Sequence, residues 1–507
     1  MGKKARVTLT MTGCLYGVRG IGPATFLTPK QGFEIGIVGS LYKYAQLTTL
    51  VLFIQRTIRL KQQSHDGNMG QAIASSSECP FDILTDDALI IIFSFLTLYE
   101  RLMVMRVSKR CNQILCNPQA WTHVDFWQQH QIKKTKLRIT RPKMDVWMFP
   151  DDKDTVLDFL RKYTSGSLKY IYLKVASTKI LLYLKQNCGN LETLSFLSAY
   201  DDPPAMTDTS YFLSTSLYFH DRIPLPTTLK TCELSMDSKT QSEFSNTMKG
   251  GKLWEYLFIR LRQCKNLRRL TLYGMILTRD SFAALSGLPM TELSCLDAIV
   301  TRSEEIQSSD LQNEFTKLKS FRFSTNNPDT ERWFNLDKFL CGIIATLQDL
   351  KYLALAGIQP PSHETSALVI TALTQLEILE LSGAIVTDEN IGLISKHLKR
   401  LATLKLTNGE YSPSGIRVLS GHPSIEKLYL LQNHQLQPSP EWLLAVYGVI
   451  LSLPKISYVK LIGNRLVALH AKEKIPKMTR DVQIEVENSE IRFEEEWWQD
   501  HRHCNLD

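Results

Sequence analysis

The sequence predicts an α/β chain: a small three-helix module followed by a long solenoid with short parallel strands inside and helices outside. Two observations carry that prediction. The first is a spacing (apolar, two residues, apolar, one residue, apolar) that recurs eleven times between Leu168 and Leu461. The second lies upstream, where Ala88 to Phe93 places six apolar side chains in a row. Each helical residue turns about 100°, so six in a row point in every direction around the axis. A helix that is apolar all round must be buried all round. A module of about 45 residues cannot achieve this alone, because small domains bury too small a fraction of their surface. One side packs on the two short helices that follow, and the other is left for a second protein. The run is also too short for a membrane span, which takes about 20 apolar residues. This segment is therefore a docking element.

The recurring spacing reads LKYIYL from Leu168, LETLSF from Leu191, LKTCEL from Leu229, LRRLTL from Leu267 and MTELSC from Met290. It continues as LKSFRF from Leu318, LKYLAL from Leu350, LEILEL from Leu376, LATLKL from Leu401, IEKLYL from Ile425 and ISYVKL from Ile456. Residues 168 to 456 cover 288 residues in ten steps, about 29 per step, near the roughly 20–29-residue period of leucine-rich repeats. Between strands, Val386 to Ser395 offers a Thr N-cap and an acidic first turn, then apolar residues at helical spacing to Leu398. Leu277–Phe282 and Ser412–Ile416 look similar. Each unit is thus one strand and one helix, and stacked units form a solenoid. The steps from Leu191 and Leu229 are each 38 residues; the Pro-rich insert Asp201–Pro226 is expected to loop beside the stack, and the segment around Asn326–Asn335 to form another loop.

Alternation along a strand separates core from recognition surface. With the first apolar residue as position one, positions four and six point inward, and three, five and seven face the concave side. The outward set comprises Tyr170, Tyr172, Arg269, Tyr273, Arg322, Tyr352, Glu380, Lys405, Lys427, Tyr429, Tyr458 and Lys460. Tyr and Arg dominate interaction hot spots, which makes this face the expected target-binding surface. Tyrosine also suits strands for its own sake. The mixed charge speaks against a nucleic-acid groove.

Residues 80–126 resemble the F-box. Leu84-Thr85-Asp86-Asp87 is similar to its opening Leu-Pro-Asp-Glu, and Leu89, Ile92, Phe93, Phe95 and Leu96 fall on its first apolar helix. Leu102, Val107 and Ser108 match its second and third helices, and Asn117-Pro118-Gln119-Ala120-Trp121 resembles its closing Asp-Pro-x-Leu-Trp. Thr85 replaces the usual Pro and so removes a rigid helix start; Cys111 stands where an aromatic is common, and Ala120 replaces Leu. The repeats resemble those of F-box proteins in particular. The resemblance implies a substrate receptor of a Skp–cullin–F-box ubiquitin ligase. Leu84, Leu89, Ile92, Phe93, Phe95, Leu96, Leu102, Val107 and Trp121 would bind the Skp-type adaptor, and through it a cullin, while the repeats capture a target. Such a chain supplies no catalytic residue. Leu96→Asp is expected to abolish adaptor binding and leave the solenoid folded. The alternative is a non-degradative repeat scaffold, which uses the same two surfaces.

Composition agrees with this class. The 507 residues are 44% hydrophobic and 22% charged, with a formal charge of +8, which is mild at this length. Ten cysteines are scattered singly with no C-x-x-C pair, the pattern of reduced thiols in a cytoplasmic or nuclear protein. No H-E-x-x-H, Walker A, G-x-S-x-G or kinase signature occurs, so no catalytic, metal or cofactor residue is assigned. Gly17, Gly20 and Gly22 form no dinucleotide fingerprint. The expected organisation is a poorly defined extension over 1–78, the F-box over 79–126, a basic connector over 127–165, the solenoid over 166–485 and a cap or tail over 486–507. Within the extension, Ile35–Ile54 is moderately apolar but holds Lys43 and lacks a secretory cleavage pattern, so no membrane partner is expected and an anchor at 35–54 is the lesser alternative, while 61–78 reads as linker. Lys133, Lys134, Lys136, Arg138, Arg141 and Lys143 read as a solvated connector, with steering of acidic partners or nuclear import as other uses. Glu494–Trp498 is expected to close the open end of the stack. His501-Arg502-His503-Cys504 reads as exposed tail.

Overall fold

The computed structural model describes residues 84–94, 96–126, 153–175, 177–198, 225–235, 258–277, 279–286, 288–300, 317–324, 349–356, 363–383, 385–409, 411–432, 440–463 and 482–488, together with Phe315 and Leu347. The extension 1–78, Phe95, the basic stretch 133–143, the segment Asn326–Asn335 and Glu494–Cys504 lie outside the described residues. So does the insert at 201–226, except for Leu225 and Pro226. The chain divides into two compact units at Asp201/Asp202.

The first unit opens with α1 (Asp86–Ser94), α2 (Leu98–Val104), α3 (Lys109–Leu115) and a 3₁₀ turn (Pro118–Trp121). Their starts are written in the sequence. Thr97 and Glu100 form a reciprocal capping box on α2, Ser108 caps α3 and Asn117 caps the 3₁₀ turn. α1 packs on α3 and on the 3₁₀ turn. β1 (His123–Asp125) follows at once, then α4 (Lys153–Tyr163), β2 (Tyr170–Val175), α5 (Thr178–Asn187) and β3 (Thr193–Ser198). The strands pair in parallel, β1 with β2 and β2 with β3, with His123 beside Tyr170 and Tyr170 beside Thr193. The stack therefore begins at His123, inside the segment assigned to the F-box, and its first helix lies inside the segment assigned to a connector. Trp121, Val124 and Phe126 follow the repeat spacing themselves, so the module's last aromatic is also the first core residue of the first repeat.

The second unit is a parallel sheet whose neighbours run in chain order: β4 (Thr231–Ser235), β5 (Arg269–Tyr273), β7 (Glu292–Leu296), β9 (Ser320–Ser324), β10 (Tyr352–Ala356), β11 (Ile378–Ser382), β12 (Thr403–Gly409), β13 (Lys427–Gln432), β14 (Tyr458–Gly463) and β15 (Gln483–Asn488). Two short strands, β6 (Ile276–Leu277) and β8 (Ile299–Val300), pair separately. The helices between strands include α6 (Arg279–Ser286), α7 (His363–Ala372), α8 (Asp388–His397), α9 (Pro413–Arg417) and α10 (Pro440–Ser452). Consecutive parallel strands need a crossover, and these helices supply it. All eleven strands expected from the spacing are present. Position one (Leu229, Leu267, Leu401, Ile425) and positions four and six (Cys232, Leu234, Leu270, Leu272, Leu404, Leu406) are fully buried, so each repeat lays its apolar triplet on the next. Gly409 closes β12 where any Cβ would run into Val386.

Candidate functional site

Two surfaces were expected to bind partners, and each differs from expectation in an instructive way. In the three-helix module, Leu89 (1% exposed), Ile92, Phe93, Leu96 and Trp121 are all buried within the chain's own fold. In this chain they belong to the module's own core. The cause is geometric: α1 packs on α3 and the 3₁₀ turn, and Leu89, Ile92 and Phe93 are the residues it buries. Leu84, Leu102 and Val107 are half-buried. The side chain left outside is Ile91, 57% exposed in the middle of the apolar run, with Ile90 half-exposed beside it. The spacing did hold the signal: Ile91 lies between Leu89 and Ile92–Phe93 and cannot share their face.

Trp121 donates Nε1–H to the Leu115 carbonyl at 2.6 Å and packs edge-on to Phe159 of α4, centroids 5.1 Å apart. Arg110 ties down the module's start through the Asp86 carboxylate (2.8 Å) and the Leu84 carbonyl (2.5 Å). Arg101, which sequence reasoning passed over, is 3% exposed. Its guanidinium donates to four backbone carbonyls, those of Ser94, Leu96, Ala120 and His123, each at 2.9 Å. It also lies 5.4 Å from the centroid of the Trp121 ring. Burial lowers its pKa to about 10, and burial together with that cation lowers the pKa of His123. Nothing in its sequence context marks a buried cation, since an arginine in a short helix ordinarily faces water.

The outward positions of the strands do form ladders. In the first unit His123 stands 5.6 Å from Tyr170 and 5.5 Å from Tyr172, ring to ring. Tyr170 is 36% exposed. In the second unit the outward residues are largely engaged with one another. Arg269 meets Glu292 at 2.7 Å, Arg322 lies 4.6 Å over the Tyr352 ring, and the Tyr352 hydroxyl donates to Glu380 at 3.0 Å. Lys405 reaches Glu380 at 3.7 Å and Lys460 reaches Glu485 at 3.6 Å, while Tyr429 stacks near Tyr458 at 5.3 Å and the Tyr458 hydroxyl bonds Glu485. Tyr352 is only 4% exposed and Ala354 and Ala356 are buried too, so β10 is covered on both faces. Tyr352, expected on the target-facing side, thus offers little of its surface in this chain. Tyr172, Arg269, Tyr273, Arg322, Lys405, Tyr429 and Tyr458 are half-buried, and Lys427 is exposed.

Among the described residues no group of three His, Cys, Asp or Glu side chains converges as a metal would need, and no helix is long and apolar enough to cross a membrane. The six described cysteines are free; burial raises the thiol pKa values of Cys188 and Cys264 to about 11, too high for a nucleophilic thiolate. A cavity lined by Leu353, Val369, Leu379 and Ile385 holds about 20 Å³, room for one water and no larger ligand.

Residues 81–123 match the F-box domain family. The chain is also similar to curated proteins named F-box/LRR-repeat protein 12. It is 29% identical to that of Bos taurus over 206 residues, 40% of this chain and 59% of the relative, and 24% identical to that of Homo sapiens over 391 residues, 75% and 87%. Residues 81–123 are thus an F-box, and the chain around them is similar to F-box/leucine-rich-repeat proteins. The match to the bovine relative spans less than two thirds of that protein's length. Among solved structures, the chain is similar to one in the yeast Rad7 and Elc1 complex (TM-score 0.34, 14% identity, 86% of this chain and 96% of that one). Another is in a TLR13–ssRNA13 complex (TM-score 0.27, 12% identity, 59% and 50%). At those scores neither bears on fold or partner.

Proposed function

We propose that this chain is the substrate-recognition subunit of a Skp–cullin–F-box-type ubiquitin ligase of the cytoplasm or nucleus. The F-box docks a Skp-type adaptor and through it a cullin, and the repeats hold the target. Its contribution is proximity: a captured protein's lysines are raised to high local concentration beside a charged conjugating enzyme. The chain itself is not catalytic. The reading is supported most by Ile91, a large apolar side chain held outside a module that otherwise seals its own core. Burying one such side chain against a partner contributes about 1.5–3 kcal/mol, and a carboxylate there would oppose contact.

Ile91→Glu in the full chain is expected to weaken adaptor binding by roughly 30-fold or more, which corresponds to about 2 kcal/mol. The melting temperature should stay within about a degree, because an exposed site carries little of the fold. Titration calorimetry against the purified adaptor reads the first and scanning calorimetry the second. Undiminished affinity would remove the adaptor reading. Reconstitution with adaptor, cullin and conjugating enzyme then asks whether a captured partner gains ubiquitin; a bound partner that stays unmodified would sink the ligase role.

A further inference from the structure

We infer that Arg101 is a positioning residue that locks the docking helix α1 to the first strand of the repeat stack. The adaptor-bearing end would then stand at one fixed angle to the β1–β3 face. The inference rests on the proposed adaptor docking only for its use; its geometry stands alone. Four acceptors from three elements converge on one planar group: Ser94 and Leu96 at and beyond the end of α1, Ala120 in the 3₁₀ turn and His123 in β1.

Helix ends leave carbonyls without intrahelical partners and gather partial negative charge there. A guanidinium offers five donors in a rigid plane, so it can serve several such carbonyls at once only if they lie near that plane. Any tilt of α1 against β1 lifts Ser94 and Leu96 out of the plane shared with Ala120 and His123, and at least two bonds fail together. The plane is backed by the Trp121 ring. Arg101 is itself held by its own helix, whose start is fixed by the Thr97–Glu100 box at 2.9 Å. Lysine cannot substitute, since one ammonium with three divergent donors does not span these four oxygens.

Two measurements on the full chain test this. The first places nitroxide-bearing non-natural residues at exposed Asp87 on α1 and Lys185 on α5 and reads the distance distribution by pulsed electron resonance. The wild type should give one narrow distribution, and Arg101→Lys should at least double its width. Ile114→Val, a core change in α3, serves as the control: it should lower the melting temperature without broadening the distribution. An unchanged width in Arg101→Lys, or equal broadening in the control, overturns the inference. The second needs no variant. In arginine-labelled wild-type protein, the Arg101 side chain should show a protected Nε–H and slow rotation about its Nε–Cζ bond. An averaged, freely exchanging guanidinium would overturn the proposal even if every Arg101 variant failed to fold. Neither measurement contains the adaptor, so a negative result here leaves the docking reading untouched, and loss of the Ile91 effect leaves Arg101 untouched.

Discussion

His422 sits three residues before Ile425, the place that the flanking repeats fill with Leu398 before Leu401 and Leu453 before Ile456. It is 2% exposed, an imidazole in a ladder of leucines. Burial first, and the Lys399 cation second, lower its pKa from the ordinary 6.5, against a smaller upward pull from the Leu398 backbone. The folded state therefore resists a proton that the unfolded chain accepts. Stability is complete above the unfolded value of 6.5 and declines as pH falls below it. His123 in the first unit shifts the same way, so among the described residues the two histidines contribute in the same sense. His422→Leu should flatten only the part of the decline that belongs to the second unit. Urea unfolding of the second unit's amides at pH 7.5 and 5.5 reads this, and an equal decline in the variant would show that His422 is not the acid-sensitive group.

At the scale of elements, the module and the first repeat share one core, and that changes what a mutation there means. Leu96→Asp, expected from the family pattern to strip off the adaptor alone, would place a carboxylate at a site 2% exposed, where the neighbouring Arg101 guanidinium is already engaged with four backbone carbonyls. The cost is more than about 3 kcal/mol, borne by the module's own packing. Circular dichroism should show a lowered melting temperature for Leu96→Asp and none for Ile91→Glu; equal melting of the two would contradict the division into core and docking residues. Family spacing identifies which positions are apolar, but not which of them a nine-residue helix turns inward. Periodicity was enough for the strands, since position one and positions four and six all proved buried. It failed for outward residues, because pairing between strands depends on register: Arg322, Glu380 and Lys405 share position five of their repeats, and their mutual engagement appears only once those strands are laid side by side. It also failed at both ends, where Trp121-Val124-Phe126 was absorbed into the F-box pattern and β15 begins after Asp481 in place of an apolar residue.

Within each of the two units the repeats bury their apolar triplets against their neighbours, so stability there is a sum of local terms and neighbour interfaces more than one global core. α8 and α9 show how a neighbour interface is built. Thr387 caps α8, and Asp388 in its first turn accepts from the Ser412 amide at 2.7 Å and from its hydroxyl at 2.5 Å, while Ser412 caps α9. Gly415 lies so close that any Cβ would strike the Asp388 carboxylate. With contacts this local, damage should stay local. Leu404 is fully buried in β12, between β11 and β13. Leu404→Ala should cost about 2–5 kcal/mol where the cavity forms. Amide hydrogen exchange is expected to speed most in β11, β12 and β13 and to leave β4 and β5 near their wild-type protection, since opening free energies differ along such a stack. Uniform loss of protection from β4 to β15 would mean that the repeats open as a single cooperative body. A target held on β12–β14 would then be read by the whole sheet at once, and the ladder of Lys405, Tyr429 and Lys460 would be no more local in its effect than the leucines beneath it.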